Sequence, residues 1–286
     1  MADSDLSGLA ERHGLQAMGV RPPFWRYLAD AWRRRDFALT LAAYRLQAGT
    51  SKTRLGMGWI VLRPLLNAVI YGVIFGFVMP KSSRPDNFIA YLIVGVFIFE
   101  FFSRSFSEGA RSVIQNVNLL KNLSFPRILL PISAVLQQLL ELAVMVVVMV
   151  VILIVLGEPI TFGWLMIIPV LLMMTLFNIG VALLAARLTV HFMDIMQIIP
   201  QITRILFYSS GIFFSLPLVF AEMPELLFVA QLNPVHDFIA LVRGFMVSGM
   251  PVEPLYWWVT SGFTALFLSL GVVLFWRAEN LYGRDQ

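Results

Sequence analysis

Residues 115–131 read Gln-Asn-Val-Asn-Leu-Leu-Lys-Asn-Leu-Ser-Phe-Pro-Arg-Ile-Leu-Leu-Pro, a half-polar stretch between two very hydrophobic runs. The run before it ends near Phe106, and the run after it extends from residue 128 to residue 156. Basic residues outnumber acidic ones here, because Arg111, Lys121 and Arg127 are opposed only by Glu108. Lys and Arg concentrate in the cytoplasmic loops of membrane proteins. The stretch therefore predicts a cytoplasmic elbow, residues 111–127, between two membrane spans.

The composition points to a lipid environment. Hydrophobic residues make up 59% and charged residues 13% of the 286 residues, compared with about 45–50% and 25% in soluble domains. A single soluble core of this size could not bury so much apolar surface, so we expect an all-α integral membrane protein. The absence of cysteine excludes a disulfide framework and thiolate chemistry. The net charge of +4 comes from short basic blocks beside apolar runs, which mark orientation, so we expect no nucleic-acid partner.

Six apolar runs are long enough to cross a hydrocarbon layer about 30 Å thick. They lie at about 59–79, 88–106, 128–156, 164–186, 198–220 and 256–276. Pro217 is expected to break the fifth run near its outer end. Of the 21 Lys and Arg residues, the proposed outer segments contain Lys81, Arg84 and Arg243. Six crossings with both termini in the cytoplasm therefore satisfy the positive-inside rule, whereas five would not.

The flanking segments complete the predicted domain organisation. Residues 1–21 are polar and lack the apolar core of a signal peptide, which predicts a cytoplasmic tail. Residues 22–54 mix aromatic side chains with arginines, and this pattern predicts an amphipathic helix in the membrane interface. Residues 55–286 form the six-span domain. The outer segment before the last span, about 221–254, is expected to contain short interfacial helices.

Polar residues within the spans have competing explanations. Glu100 and Arg104 are four residues apart, which predicts an ion pair on one helix face. A carboxylate within a span is also a functional candidate, because it is expensive to bury. His191 and Asp194 could be metal ligands or acid–base groups, but two ligands without a third favour a solvated turn.

The sequence carries no recognisable catalytic machinery. It lacks the Gly-x-x-x-x-Gly-Lys-Ser/Thr phosphate loop, a Ser–His–Asp arrangement in recognisable context, a paired-carboxylate motif and a His cluster. The charged residues in the spans are too scattered for a proton-coupled or voltage-driven transporter. We therefore expect a non-enzymatic chain with no cofactor of its own, driven by a partner that docks on the elbow.

Four sets of motifs, in order along the chain, resemble one family. They are Arg35-Asp36-Phe37 with Tyr44-Arg45, Leu55-Gly56-Met57-Gly58-Trp59 and Arg63-Pro64; the elbow Asn118-Leu119-Leu120-Lys121 with Phe125-Pro126-Arg127 and Pro131; Asn233-Pro234 with Arg243-Gly244; and Trp276-Arg277-Ala278-Glu279. This pattern is similar to that of the membrane subunits of type-2 ATP-binding-cassette exporters for polysaccharides, and it extends from about residue 24 to the end.

The resemblance implies a homodimer of membrane subunits with two separate ATPase subunits, which bind ATP and Mg. It implies that the elbow is a coupling helix, with contact residues Gln115, Asn118, Leu119, Lys121, Phe125 and Arg127. The implied substrate is a glycan on a polyprenyl diphosphate lipid, such as an O-antigen, teichoic acid, galactan or capsule chain. It would pass from the inner to the outer leaflet of the cytoplasmic membrane, between the two membrane subunits.

Two groups of side chains are candidates for substrate contact. Sugars stack on aromatic rings, and the candidate channel residues are Tyr71, Phe75, Phe207, Tyr208, Phe213 and Phe214. Guanidinium groups bind phosphate, and the candidate ligands of the carrier diphosphate are Arg33, Arg34, Arg35, Arg45 and Arg63. Lipid contact or helix packing also explains the aromatic residues, and interface anchoring also explains the arginines.

Two other functions remain open at this stage. A type-2 exporter of a drug or small lipid would share the spans and the elbow. A passive channel or membrane scaffold would need no ATPase. The sequence does not name the sugar polymer.

Overall fold

The computed structural model describes residues 22–50, 54–78, 85, 87–123 and 125–279, and its regular structure there is entirely helical. This confirms the prediction of an all-α membrane protein. The predicted cytoplasmic tail, residues 1–21, and Lys81 and Arg84 of the first outer loop lie outside the described residues.

The helices, numbered in chain order, have the following bounds. They are α1 Phe24–Arg33, α2 Arg35–Thr50, α3 Gly58–Val78, α4 Phe88–Arg111, α5 Val117–Asn122, α6 Leu129–Val155, α7 Ile167–His191, α8 Ile195–Ser209, α9 Leu216–Val219, α10 Pro224–Ala230, α11 Pro234–Met246 and α12 Pro254–Arg277. The 3₁₀ turns Ile114–Asn116 and Phe162–Met166 precede α5 and α7.

Helix α4 forms the centre of the bundle. It packs against α3, α6, α7, α8 and α11. Within the most apolar 18-residue stretch of α4, 72% is buried inside the chain, compared with 17% for the corresponding stretch of α3. Its buried face includes Phe97, Phe101 and Val94. Because α3 is covered on so little of its surface, it lies at the edge of the bundle, where lipid or a second subunit can cover it.

Among the described residues, five helices are long and apolar enough to cross a membrane, namely α3, α4, α6, α12 and α7 with its preceding 3₁₀ turn. A sixth span is reached only if α10 and α11, which are bent by 91° relative to each other, are counted together. The location of both termini in the cytoplasm therefore stays a prediction.

The predicted fifth span, 198–220, is wrong as a single helix. Helix α8 ends at Ser209, earlier than the predicted break at Pro217, and the chain is irregular until α9 begins at Leu216. Gly211 explains the early end, because its φ of +63° lies in the left-handed region that glycine adopts without a Cβ clash.

The predicted single helix at 22–54 is also wrong, because α1 and α2 are separate helices that meet at Arg34. Tyr27 and Ala31 are buried four residues apart on α1, and Ala38 and Ala42 are buried four residues apart on α2, so each pair shares one face of its own helix. Trp25 and Trp32 are exposed. Of the two helices, α1 is strongly amphipathic, whereas α2 is not, and its Leu39 and Tyr44 are exposed. The place of the segment in the membrane interface stays a prediction.

Candidate functional site

The elbow between α4 and α6 is a short helical turn with a polar exposed side. Gln115, Asn118 and Lys121 are exposed and lie three residues apart, close to one helical turn. Val117 and Leu120 are half-buried on the other side, and so is Leu119. The three polar residues predicted for coupling therefore share one accessible face of the elbow.

The carboxylate of Glu279 joins three segments beneath the elbow. Tyr27 Oη donates to Glu279 Oε2 at 2.6 Å, and the backbone N–H of Arg127 donates to Oε1 at 3.1 Å. The Arg127 guanidinium also donates to the Glu279 carbonyl oxygen, and Tyr27 Oη accepts from the Ile128 N–H at 3.2 Å. Burial raises the pKa of Glu279, and the bonds from Tyr27 and Arg127 oppose this rise. The elbow is thus attached to segments from both ends of the chain.

An apolar cluster supports the same attachment. The rings of Phe37 and Phe125 pack with centroids 4.8 Å apart, and Val113, Ile128 and Phe275 are buried in the same cluster. In this structure the side chains of Phe125 and Arg127 hold the elbow on the membrane domain, and their predicted contact with the ATPase stays a prediction. Sequence reasoning missed Tyr27 and Glu279, since nothing local indicates that they meet.

Five of the six predicted channel residues form one aromatic cluster between α3, α8 and the irregular segment that follows α8. The centre of the Tyr71 ring lies 5.2 Å from that of Phe207 and 5.1 Å from that of Phe213. The rings of Phe75 and Phe213 are stacked, with their centres 4.1 Å apart. Tyr208 contacts Phe207 at 5.6 Å and is 50% exposed. The sequence prediction therefore identified a real aromatic cluster.

Members of this cluster differ in how much of their surface is accessible. Phe213 is only 1% exposed, so in this conformation it supports the cluster from inside and does not line a pathway. Phe214 is half-buried, and its carbonyl oxygen accepts from Tyr91 Oη at 2.8 Å. Tyr208 is the member most available to a substrate.

Sequence reasoning also missed a polar stripe on α8. Gln197, Gln201, Arg204 and Tyr208 are all exposed and are spaced four, three and four residues apart, which places them on one helix face. Polar side chains on an apolar helix face a protein interior or a water-filled cavity in preference to lipid. The spacing was visible in the sequence and could have indicated this face.

The five arginines predicted to bind the carrier diphosphate fall into two groups. Arg33, Arg34, Arg35 and Arg63 are exposed, and the Arg63 guanidinium lies 5.6 Å from the centre of the Trp59 ring. Arg45 is half-buried between α2 and α6, where Nη1 donates to Ser133 Oγ at 3.2 Å. Arg45 therefore contributes to helix packing.

The predicted Glu100–Arg104 pair is confirmed, and a second carboxylate joins it. Arg104 Nε lies 2.7 Å from Glu100 Oε1, and Arg104 Nη1 lies 3.0 Å from Glu141 Oε2. Gln137 Nε2 donates to Glu141 Oε1 at 3.1 Å. The network links α4 to α6, which is sufficient to explain the buried charges as helix contacts.

The structure shows no metal centre in the part of the chain that it describes. His191 and Asp194 are exposed, and no group of three or more His, Cys, Asp or Glu side chains lies together within the described residues.

Comparison with known proteins shows which family this chain resembles. Residues 38–247 match the ABC-2 type transporter family model. The chain is 27% identical to an O-antigen export system permease protein RfbA from Klebsiella pneumoniae over 216 residues, which are 75% of this chain and 81% of the relative. It is 24% identical to an RfbA protein of the same description from Myxococcus xanthus over 259 residues, covering 90% and 95%.

Proposed function

The chain belongs to the ABC-2 type transporter family, and from that premise we propose that it is the membrane subunit of an ATP-driven exporter of polysaccharide. Two copies form the transport unit with two separate ATPase subunits, which bind ATP and Mg. The substrate is a glycan linked to polyprenyl diphosphate, which passes from the inner to the outer leaflet of the cytoplasmic membrane.

The choice of polysaccharide rests on the relatives. The proteins from Klebsiella pneumoniae and Myxococcus xanthus are both described as O-antigen export permeases, and the alignment with the second covers 90% of this chain. The aromatic cluster around Tyr71 and Phe207 is consistent with this substrate class, because sugars stack their C–H faces on rings.

The observation that carries the mechanism is the asymmetry of the elbow. Gln115, Asn118 and Lys121 are exposed, while Arg127 and Phe125 hold the same segment to α1, α2 and α12. A partner that binds the exposed face can therefore transmit movement to the membrane helices through contacts that already exist. The 286 residues contain no Gly-x-x-x-x-Gly-Lys-Ser/Thr phosphate-binding loop, and in the proposed complex the partner subunit binds the ATP.

The proposed pathway lies along α3 and α8. The α8 stripe offers hydrogen-bonding groups, and Tyr208 offers an exposed ring beside the aromatic cluster. At the cytoplasmic end, Arg63 and the arginines at 33–35 are the proposed ligands of the carrier diphosphate. Their guanidinium groups suit phosphate because they donate two parallel hydrogen bonds.

The test is charge reversal on the exposed face of the elbow. We expect Lys121→Glu combined with Asn118→Ala to lower export of lipid-linked glycan in reconstituted vesicles by about tenfold or more, since the double change removes polar contacts at an interface centre. Co-purification of the ATPase subunit should weaken in parallel. The thermal midpoint of the isolated membrane subunit should stay the same, because neither side chain is buried.

The matched control is Arg277→Glu, which makes the same change of charge at an exposed position at the end of α12. Export and co-purification should be retained in this variant. Full retention of ATPase binding by the elbow variant would refute the docking assignment. Stimulation of the ATPase by a small amphiphile, with no response to lipid-linked glycan, would instead assign a small-molecule exporter.

A further inference from the structure

The backbone between α8 and α9 leaves helical hydrogen bonding while it is still buried. Ser210, Gly211, Ile212 and Phe213 are all buried, and helical structure resumes only at Leu216. Irregular backbone at membrane depth is tolerated only where the protein itself satisfies the free carbonyl and amide groups. The question is which side chains satisfy them.

Arg243 of α11 donates to two of the free carbonyl oxygens and also to α4. Its Nη1 donates to the Gly211 carbonyl at 2.9 Å and its Nη2 to the Ile212 carbonyl at 3.1 Å, while Nε donates to the Tyr91 carbonyl at 3.0 Å. The side chain is 2% exposed. A planar guanidinium with five donors can serve three fixed acceptors at once, which the point charge of lysine does less well.

Helix α4 is shaped to receive this guanidinium. The Arg243 Cζ atom lies 3.3 Å from the centre of the Tyr91 ring, and Tyr91 Oη lies 2.8 Å from the Gly211 and Phe214 carbonyl oxygens. Gly95 is one turn along α4, and a Cβ at that position would collide with Arg243 Nη2. The absence of a side chain at residue 95 therefore leaves room for the arginine.

The start of α11 makes a second attachment to the same break. Asn233 Nδ2 donates to Ser210 Oγ at 3.0 Å, and His236 Nδ1 lies 3.0 Å from the Ser210 carbonyl oxygen. A carbonyl can only accept, so the proton of the imidazole is on Nδ1. Both ends of α11 thus hold the end of α8.

We propose that Arg243 is a positioning residue for transport, acting as a joint that makes the end of α8, the first two turns of α4 and helix α11 move as one body. A buried cation whose acceptors are uncharged carbonyls is expensive in a membrane, which favours a functional reason for keeping it. The joint also fixes the backbone that carries Phe213 under the aromatic cluster. Its role in transport rests on the function proposed above, whereas its mechanical role does not.

Thiol labelling tests the joint without any transport assay. The chain has no cysteine, so Ile212→Cys, at a position that is 0% exposed, gives a single reporter in the break. We expect it to be protected in the purified subunit. Arg243→Gln should raise its labelling rate by about tenfold or more, because local opening then breaks fewer charge-assisted hydrogen bonds.

Two further variants separate a local joint from general destabilisation. Ala186→Cys places a reporter at another fully buried position, on α7, and its protection should survive Arg243→Gln. Gly95→Ala should expose Ile212→Cys as Arg243→Gln does, and combining the two should add little, because both remove the same contacts. Equal exposure of both reporters, or additive effects, would overturn the joint.

Export by the reconstituted complex tests the role in transport. Arg243→Gln should lower glycan export about tenfold while the basal ATPase rate stays within about twofold, because the joint is remote from the elbow. In the parent protein, Ile212→Cys should stay protected during ATP turnover. Labelling that appears only with ATP would overturn a rigid joint, and unchanged export would remove Arg243 from the positioning role.

Discussion

Arg104 lies among apolar helices with two carboxylates within hydrogen-bonding distance. Its contacts with Glu100 and Glu141 are 2.7 and 3.0 Å long, and Glu141 is the more buried of the two acids. With one cation and two anions, the network depends on the arginine more than on either carboxylate. The three charged residues should therefore contribute unequally to the stability of the subunit.

We predict that Arg104→Met lowers the free energy of unfolding of the subunit by about 2–3 kcal/mol. This is at or below the lower end of the cost of breaking a fully buried ion pair, because the Arg104 side chain is partly exposed. The control is Glu100→Gln, which removes a charge from the same network but leaves the Arg104–Glu141 pair, and should cost less than about 1 kcal/mol. Thermal midpoints in detergent measure both. Equal shifts for the two variants would contradict this account.

Glycines set the closest helix contacts of the bundle. A Cβ at Gly180 of α7 would lie 2.5 Å from the backbone of Phe267 and Leu268, and one at Gly271 of α12 would lie 2.6 Å from the Gly180 carbonyl oxygen. These neighbours are backbone atoms, so they cannot move aside as a side chain can. Small residues at a crossing let membrane helices approach closely and gain dispersion contacts. At the element scale, the α7–α12 pair therefore depends on these two positions.

We predict that Gly271→Ala costs about 1–3 kcal/mol, because the added methyl group forces α7 and α12 apart. Gly262→Ala on the same helix is the matched control, since a Cβ there meets nothing within 4 Å, and it should be neutral or slightly stabilising. The yield of monodisperse protein and the thermal midpoint report the difference. If both variants behaved alike, the close crossing would not govern stability.

Helices α3 and α8, which meet at the aromatic cluster, both have poorly covered surfaces within one chain. The apolar window of α3 is only 17% buried, and the polar stripe of α8 is exposed. A single copy would place Gln201 and Arg204 against lipid, which is unfavourable. At the scale of the whole molecule, the proposed homodimer places these surfaces beside a shared pathway.

We predict that Gln201→Cys reacts with a membrane-impermeant thiol reagent in the assembled complex and is protected by lipid-linked glycan. Ile202→Cys is the control, because Ile202 is 40% exposed but is rotated by about 100° around the helix from its neighbour, away from the stripe. It should react slowly, since lipid does not admit the reagent. Rapid labelling of both positions, or of neither, would place the pathway elsewhere.

Local patterns determined much of this protein. Hydropathy alone indicated five membrane helices, the charge pattern indicated the elbow, and the four-residue spacing indicated the Glu100–Arg104 pair. These features depend on neighbours in the sequence or on the solvent around one helix, so they can be seen without a fold. The fifth predicted span breaks before Pro217, because Gly211 adopts a left-handed conformation just after α8 ends.

Only the tertiary structure decided which distant segments meet. Tyr27 and Glu279 are 252 residues apart and share a hydrogen bond under the elbow, Glu141 joins the Arg104 network from another helix, and Arg243 is buried among carbonyls 31 to 152 residues away. The sequence places Arg243 in a predicted outer segment, where a charged side chain would be expected to contact water. Such contacts depend on how the helices pack, and helix packing is set by side chains on several elements at once, which no local window of sequence contains.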